Sequence, residues 1–161
     1  MYMGYMNDKK SSLLSFFLMI AVLTGVPMMG CGSDKGGTAP DGSTIEIRPL
    51  DPSVTDKGPT ATWSTEYFTI TVRDVNNLPL NKVKLNIKFP WAVPDPANLV
   101  QLYDKDGLPV NSPYDSAYTD EFGVYNLRFD YMRGGGVSYF GNLEVRSGTA
   151  YASTKFTVAI E

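Results

Sequence analysis

Apolar and polar residues alternate strictly along several stretches of this chain, and this period of two constrains its fold more than any other feature. The clearest stretch is 81–89, in which Val83, Leu85, Ile87 and Phe89 alternate with lysine and asparagine side chains. Successive side chains of a β-strand point to opposite faces, so this pattern predicts a strand with one face buried and one face in solvent. Beyond the N-terminal leader, no stretch repeats apolar residues at helical spacing over three turns.

The same alternation recurs elsewhere, and turn-forming residues separate the stretches. The predicted strands are 45–48, 66–74, 81–89, 98–104, 123–131, 137–146 and 149–160. The turns carry glycine, asparagine or aspartate, as in Asn76-Asn77, Asp106-Gly107 and Ser147-Gly148. Seven short strands at this spacing are typical of a β-sandwich. We therefore expect an all-β domain over residues 44–161, with the alternating faces buried between two sheets.

Four motifs of this domain resemble the bacterial immunoglobulin-like group 1 domain, the module repeated in intimins and invasins. They are Phe68–Asp74 (FTITVRD), Leu78-Pro79-Leu80, Val83-Lys84-Leu85 and Thr119–Val124 (TDEFGV). The resemblance covers 44–161 and implies a seven-stranded immunoglobulin-like β-sandwich. Two features depart from the family's pattern, Asn77 in place of a common glycine and the insertion Pro90–Pro96. A transthyretin-like or carboxypeptidase-regulatory-like domain shares the Leu-Pro-Leu turn and is the alternative.

The first thirty residues have the pattern of an export signal. Lys9 and Lys10 precede twenty uncharged residues from Ser11 to Gly30, whose centre, LLSFFLMIAVL, is apolar. The cations remain cytoplasmic while the apolar stretch enters the bilayer, which is how a secretory signal works. An uncleaved transmembrane anchor is the alternative, because twenty uncharged residues can span a bilayer. Threonine, glycine and proline near the end weaken such a helix, so we predict a signal helix over 1–30.

The only cysteine, Cys31, follows this stretch directly. The sequence Met28-Met29-Gly30-Cys31 resembles the lipobox of bacterial lipoproteins, although methionines stand where that family usually has leucine and alanine or serine. The resemblance implies that the Cys31 thiol is lipidated, that it can be followed by palmitate labelling, and that it becomes the first residue after cleavage. Gly32 rather than aspartate after the cysteine implies outer-membrane sorting if the host is Gram-negative. The glycine-rich residues 32–43 complete a predicted flexible tether, 31–43.

Carboxylates supply the first candidate sites. Asp104–Gly107 could open a calcium loop, but the further oxygen ligands and the distal glutamate of an EF-hand are absent, so a tight turn is the simpler interpretation. Asp115, Asp120 and Glu121 could meet at one end of the sandwich and bind a cation. Asp120-Glu121 could also be catalytic, but neighbours on a strand end point to opposite faces. The group 1 resemblance instead makes Asp120 a turn residue that accepts from backbone N–H groups.

Composition excludes several classes of function. The chain has no histidine, and so lacks the commonest general base and the usual zinc ligand. Its net charge of −3, with no basic stripe, argues against a nucleic-acid partner. Gly134-Gly135-Gly136 is not a phosphate loop, because no Lys-Ser/Thr follows it, and we predict a flexible hairpin connection there. We expect no cofactor, no metal and no enzymatic activity.

Aromatic residues are the remaining candidates for a binding site. Trp63, Trp91, Tyr103, Tyr114 and Tyr118 fall in or near predicted loops. Tyrosine and tryptophan are frequent at contacts with proteins and sugars, because they combine a large apolar area with a polar tip. The alternative is that they cover the ends of the sandwich. We predict partner contacts at Trp63, Trp91 and Tyr114, with Trp91 in the unusual insertion as the main candidate.

These observations predict a lipid-anchored module of the cell envelope with a structural or adhesive role. Its partners would be the membrane, through the lipid, and another envelope protein or polymer. The alternative is a carbohydrate-binding or transport-accessory module, which a planar row of exposed tryptophan and tyrosine on one sheet face would favour.

Overall fold

The computed structural model describes residues 36–56, 58–89, 99–136 and 138–160. Cys31, Trp91, the predicted signal helix and residues 32–35 of the predicted tether lie outside these ranges. The described residues form ten strands and no helix. Consequently none of them belongs to a helix that could cross a membrane. The strands are β1 Thr44–Arg48, β2 Ser53–Asp56, β3 Thr62–Arg73, β4 Lys84–Lys88, β5 Val100–Tyr103, β6 Pro109–Val110, β7 Tyr114–Tyr118, β8 Val124–Arg133, β9 Tyr139–Ser147 and β10 Ala150–Ile160.

The strands form two sheets that face each other. One sheet has the order β1-β3-β8-β5-β6 and the other β2-β10-β9-β4-β7. Neighbouring strands are antiparallel, except that β2 runs parallel to β10. Without β2, β6 and β7, the first, second, fifth and fourth strands share one sheet, and the third, sixth and seventh share the other. This is the strand order of an immunoglobulin-type sandwich.

The all-β prediction is confirmed, whereas the count of seven strands is not. Each of the seven predicted stretches contains a strand, and the three additional strands β2, β6 and β7 have 4, 2 and 5 residues. None of the three carries apolar residues at alternate positions, since their sequences are SVTD, PV and YDSAY. They are extended because each pairs with a neighbouring strand, β10, β5 and β4 respectively. Their existence is therefore a consequence of tertiary pairing.

Aromatic side chains from both sheets fill the centre of the sandwich. The Phe129 ring of β8 stacks on Phe89 with ring centroids 5.1 Å apart, and it meets Phe156 of β10 edge-on at 4.6 Å. Phe68 of β3 and Tyr131 of β8 surround the same ring at 6.0 and 5.7 Å. Contacts of this geometry add about 0.5–1.5 kcal/mol each beyond the burial of their area. The alternating residues predicted to face inward thus meet across the two sheets.

Part of the predicted tether, 31–43, is hydrogen-bonded to the strands of the domain. The backbone N–H of Lys84 donates to the Gly37 carbonyl at 2.8 Å, and the N–H of Ala39 donates to the Ser147 hydroxyl at 2.9 Å. Ala39 is buried. Residues 37–43 therefore belong to the domain, whose predicted start at residue 44 is too late. Composition indicated a coil here, whereas hydrogen bonds to β4 and β9 hold it in place.

Three loops of the domain repeat one hydrogen-bonding pattern. They are 74–78, 104–108 and 120–124, and each begins with an aspartate. In each loop the aspartate Oδ1 accepts from the backbone N–H groups two and four residues later, at 2.8–3.0 Å. The fourth residue has positive φ and is Asn77, Gly107 or Gly123. The prediction that Asp120 accepts from backbone N–H groups is therefore confirmed, and the tight turn at Asp104–Gly107 is observed.

The triple glycine at 134–136 does not join two strands of one sheet. It follows β8 of the first sheet and precedes β9 of the second. All three glycines have positive φ, between 75° and 88°. The prediction of a hairpin connection is wrong, because the chain crosses between the sheets here.

The loops provide a matched pair of substitutions. Gly123 and Gly107 have nearly the same φ, 72° and 78°. A Cβ on Gly123 would lie 2.6 Å from the Val72 carbonyl oxygen, whereas a Cβ on Gly107 would meet no atom within 4 Å. We expect Gly107→Ala to lower the free energy of unfolding by about 1–2 kcal/mol, the cost of the left-handed backbone. Gly123→Ala should cost clearly more, because the backbone of β3 must also move.

Urea denaturation of the two variants and the wild type measures both losses. Equal destabilisation at the two positions would contradict the proposed packing of loop 120–124 against β3.

Candidate functional site

Three strands of the first sheet place a row of large side chains on its outward surface. Tyr67 of β3, Arg128 of β8 and Tyr103 of β5 lie directly opposite one another across the strands. One row along, Thr65, Asp130 and Gln101 are paired in the same way. Cross-strand neighbours of this kind have Cβ atoms close enough for side-chain contact. The outward face of β3, β8 and β5, called the Arg128 face below, includes Trp63, Thr65, Tyr67, Tyr103, Asn126, Arg128 and Asp130.

Arg128 is held in one position by its neighbours. Its Nε donates to Asp130 Oδ1 at 2.8 Å, and its NH2 group donates to the other carboxylate oxygen. Its guanidinium carbon lies 4.5 Å from the centre of the Tyr103 ring, in a cation–π contact. The hydroxyl of Thr65 donates to Asp130 Oδ1 at 2.7 Å. A bidentate ion pair with a stacked ring leaves the guanidinium little freedom.

The ion pair changes the acidity of both partners. Hydrogen bonding to Arg128 lowers the pKa of Asp130, and the hydrogen bond from Thr65 adds to this effect. Partial burial of the carboxylate acts in the opposite direction but is the weaker influence. The hydrogen bonds to Asp130 raise the pKa of Arg128. Both groups are therefore charged at neutral pH, and each has the other as its main partner.

Two exposed aromatic residues extend the face along β3. Trp63 and Tyr67 are 52% and 60% exposed, and they lie on the same side of the strand because four residues separate them. At the rise of an extended strand they are about 13 Å apart. Trp63 was expected in a loop, but β3 begins at Thr62 and includes it. A row of tryptophan and tyrosine on one sheet face is therefore present.

An open groove of about 290 Å³ lies beside Tyr67 and Arg128. Loop 104–108 and Asn126 form its other sides. The Asp104 carboxylate accepts from two backbone N–H groups of its own loop, and Lys105 pairs with Asp106 at 2.7 Å. This hydrogen bond raises the pKa of Lys105. The carboxylates of the predicted calcium loop are thus engaged by the protein itself. In the ranges that the structure describes, no three acidic, cysteine or histidine residues group to hold a metal ion.

Chemically, the Arg128 face can bind but offers little for catalysis. Its exposed rings can stack on a flat apolar surface, and its hydroxyl, amide and guanidinium groups can form hydrogen bonds. Asp130 accepts from Arg128 and Thr65 and has a lowered pKa, which is the wrong direction for a general acid or base near neutral pH.

Two of the predicted contact residues, Trp63 and Tyr114, lie on different sheets. Trp63 lies on the Arg128 face, whereas Tyr114 lies on β7 of the other sheet, and Trp91 is outside the described residues. Tyr114 is half-buried and packs against the core. It also lies beside Tyr125, whose pKa is raised mainly by burial and secondly by the Tyr114 hydroxyl.

The acidic residues proposed to meet at one end are separately engaged. Asp115 of β7 lies 3.9 Å from the Lys84 ammonium group. Asp120 accepts from the backbone N–H groups of Phe122 and Val124. Asp115 and Asp120 therefore have different protein partners.

Sequence reasoning missed Tyr67, Tyr103, Arg128 and Asp130 as members of one site. Alternation did place Tyr67, Arg128 and Asp130 on polar faces of their strands. Alternation along each strand does not indicate that β3, β8 and β5 are neighbours in the same sheet, which is what brings these side chains together.

No protein-family model matches this sequence, and no curated protein matches it. Among solved structures it is similar to a conjugative transposon lipoprotein from Bacteroides eggerthii DSM 20697, at 14% identity over 73% of this chain and 98% of that one, with a TM-score of 0.42. It is also similar to a PapD-like domain of human CEP192, at 12% identity over 79% and 92%, with a TM-score of 0.40. Domains 4 and 5 of the S-layer protein SbsC match at 15% identity over 71% and 50%, with a TM-score of 0.38.

Acid titration tests the ion pair of the face. Asp130 has a pKa below its unfolded value of about 3.9. It therefore stabilises the fold above about pH 4, and this contribution is lost as the pH falls through the lowered pKa. Arg128→Gln removes the main cause of the lowered Asp130 pKa. The variant should therefore lose less stability than the wild type as the pH falls from about 5 to about 2.

The control is Arg48→Gln, which removes an exposed pair with Glu46. Exposed pairs contribute about 0–1 kcal/mol, so this variant should follow the wild-type pH profile. Free energies of unfolding from denaturant titrations at each pH supply the comparison. An Arg128→Gln profile parallel to the wild type would count against the pair.

Proposed function

We propose that this chain is a lipid-anchored, immunoglobulin-like module of the cell envelope that binds an envelope protein or polymer through the Arg128 face and has no catalytic activity. The observation that carries the proposal is the Tyr67–Arg128–Tyr103 row, in which a guanidinium fixed by Asp130 lies between two tyrosines. A surface whose side chains are already ordered loses less conformational entropy on binding.

The composition of the face supports a contact role. Tyrosine, tryptophan and arginine are the residues most enriched among those that dominate binding energy in interfaces. Trp63 and Tyr67 are more than half exposed and so are accessible to a partner. The absence of histidine from the sequence and the engagement of Asp130 by Arg128 support a non-catalytic role.

The anchor in this proposal is Cys31. It is supported by the basic start, the apolar stretch and the lipobox-like Met28-Met29-Gly30-Cys31. Acyl chains contribute about 0.8 kcal/mol per buried methylene, and stable anchoring needs more than one chain. The location is the cell envelope, and the outer membrane if the host is Gram-negative. The motifs around Asp74 and Asp120 support group 1 of the bacterial immunoglobulin-like domains as the subfamily.

Changing Cys31→Ser tests the anchor. Wild-type protein should enter the detergent phase on phase separation and incorporate labelled palmitate, because the thiol carries the lipid. The variant should incorporate no palmitate and keep its leader uncleaved; because that apolar leader can itself enter detergent, palmitate labelling and leader cleavage are the readouts for the variant. Wild-type protein that is soluble and unlabelled would disprove the lipid anchor, while leaving the binding face untouched.

A second candidate function is carbohydrate binding, favoured by the row of Trp63 and Tyr67 on one sheet face. Sugar rings stack on exposed aromatic rings, and their hydroxyl groups pair with amide, hydroxyl and guanidinium groups. Asn126, Thr65 and Arg128 supply such groups beside the two rings. The two candidates share the face and differ in the chemistry of the partner.

Alanine variants test the face under both candidates. Tyr67→Ala and Arg128→Ala should each weaken retention of the partner about tenfold or more, as expected for residues at the centre of an interface. The matched control is the opposite sheet, where Arg146 lies 5.1 Å from the Tyr151 ring. Tyr151→Ala and Arg146→Ala should leave retention unchanged.

Retention is measured with solubilised envelope proteins and, separately, with purified envelope polysaccharides. Loss confined to the polysaccharide assay selects carbohydrate binding, and loss confined to the protein assay selects a protein partner. Equal behaviour of the two pairs of variants would exclude the Arg128 face.

A further inference from the structure

Two of the aspartate loops adjoin at one end of the sandwich. The backbone N–H of Val72 donates to the Gly123 carbonyl at 2.8 Å, and the N–H of Leu80 donates to the Val72 carbonyl at 3.1 Å. Gly123 is so close to Pro79 and Leu80 that an added Cβ would lie within 3.1 Å of their backbone. Loops 74–78 and 120–124 therefore form one surface, called the Phe122 end below.

Large apolar side chains project from this end. Val75, Leu78 and Phe122 are 68%, 58% and 67% exposed. The aspartates that begin both loops direct their Oδ1 atoms to the loop backbone. The loop tips are thus apolar while their backbone N–H groups already have partners inside the loop. Apolar surface of this kind commonly marks a contact with a protein or a membrane.

The N-terminal segment of the domain runs past the same end. Gly36 lies against the Tyr118 ring and the Lys82 carbonyl, and Lys82 is bonded to Thr119 next to loop 120–124. Farther along, a Cβ on Gly42 would lie 2.6 Å from a methyl group of Val75. The chain therefore enters the sandwich at the Phe122 end.

Chain length then limits the distance from the anchor. Cys31 and Gly36 are separated by five Cα–Cα steps, which span at most about 18 Å when fully extended. By comparison, the eleven residues of β10 run away from this end for about 33 Å. A lipid on Cys31 thus limits the Phe122 end to about 18 Å from the bilayer, whereas the opposite end can stand about 33 Å farther away.

We infer that the Phe122 end rests on the lipid surface, with Val75, Leu78 and Phe122 in the boundary between headgroups and acyl chains. This inference rests on the lipid anchor of the proposed function and adds the orientation of the domain. The Arg128 face then stands roughly perpendicular to the membrane, because β3 and β8 run away from this end.

The chemistry of the end favours a neutral lipid surface over an anionic one. Arg73 and Lys82 are its cations, and Asp41, Asp74, Asp120 and Glu121 are its anions. Contact therefore depends on apolar burial, which ions do not screen. We expect the contact to persist in high salt and to form on vesicles of phosphatidylcholine.

A fluorescent label tests this orientation on the lipidated full protein. Cys31 is the only cysteine, and its thiol is used by the lipid, so Phe122→Cys supplies a single free thiol for an environment-sensitive dye. Leu78→Cys is a second position in the adjoining loop. Ile160→Cys is the control, because Ile160 is a similarly apolar residue, 49% exposed, at the far end of β10.

Each protein is reconstituted into phosphatidylcholine vesicles and floated on a density gradient. The emission of dyes at 122 and 78 should shift to the blue, and nitroxide-labelled lipid should quench it, in low and high salt alike. The dye at 160 should show neither change.

The outcomes separate this inference from the anchor. If the protein floats but the dyes at 122 and 78 emit as they do in water, the anchor is present and the proposed orientation is wrong. The Phe122 end is then free for a protein partner. Equal shifts at 122 and 160 also overturn the orientation. Protein that does not float disproves the anchor, and with it the inference.

Discussion

The contact of Phe129 with Phe89 and Phe156 joins the two sheets, and the other features of this domain depend on it. These rings come from strands of both sheets, so their burial removes apolar area from water only when the sheets are stacked. Stacking in turn directs the intervening residues outward. The polar and aromatic residues of β3, β8 and β5 reach solvent because their chain neighbours are committed to the core.

The three aspartate loops end strands without leaving backbone groups unpaired. One carboxylate oxygen accepts from two N–H groups that a reversal of the chain would otherwise leave without partners. The same hydrogen-bonding pattern occurs in two different parts of the domain. Loop 104–108 borders the groove beside Arg128, whereas loops 74–78 and 120–124 carry apolar side chains at the Phe122 end.

Most of the fold was predictable, while little of the candidate site was. Period-two alternation was right in each of its seven stretches, every one of which contains a strand, because one buried face leaves its mark on every second residue. It could not locate β2, β6 and β7, which are extended only through their neighbours. The signal segment and the role of Cys31 remain predictions from the sequence. Of the candidate contacts, Trp63 lies on the Arg128 face, Tyr114 packs against the core, and the sequence did not group Tyr67 with Tyr103 and Arg128.

Alternation along the chain predicted an all-β domain over residues 44–161 and the strand residues that point inward, and the group 1 resemblance predicted that Asp120 accepts from backbone N–H groups. These properties depend on residues close together in the chain, so local order is enough to encode them. By contrast, pairing between distant strands places β8 between β3 and β5 and so sets Arg128 between Tyr67 and Tyr103. The tertiary structure also decided that residues 37–43 belong to the domain, since their partners Lys84, Ser147 and Thr149 are distant in sequence. Contacts between distant segments depend on sheet order, which alternation along a single strand does not specify.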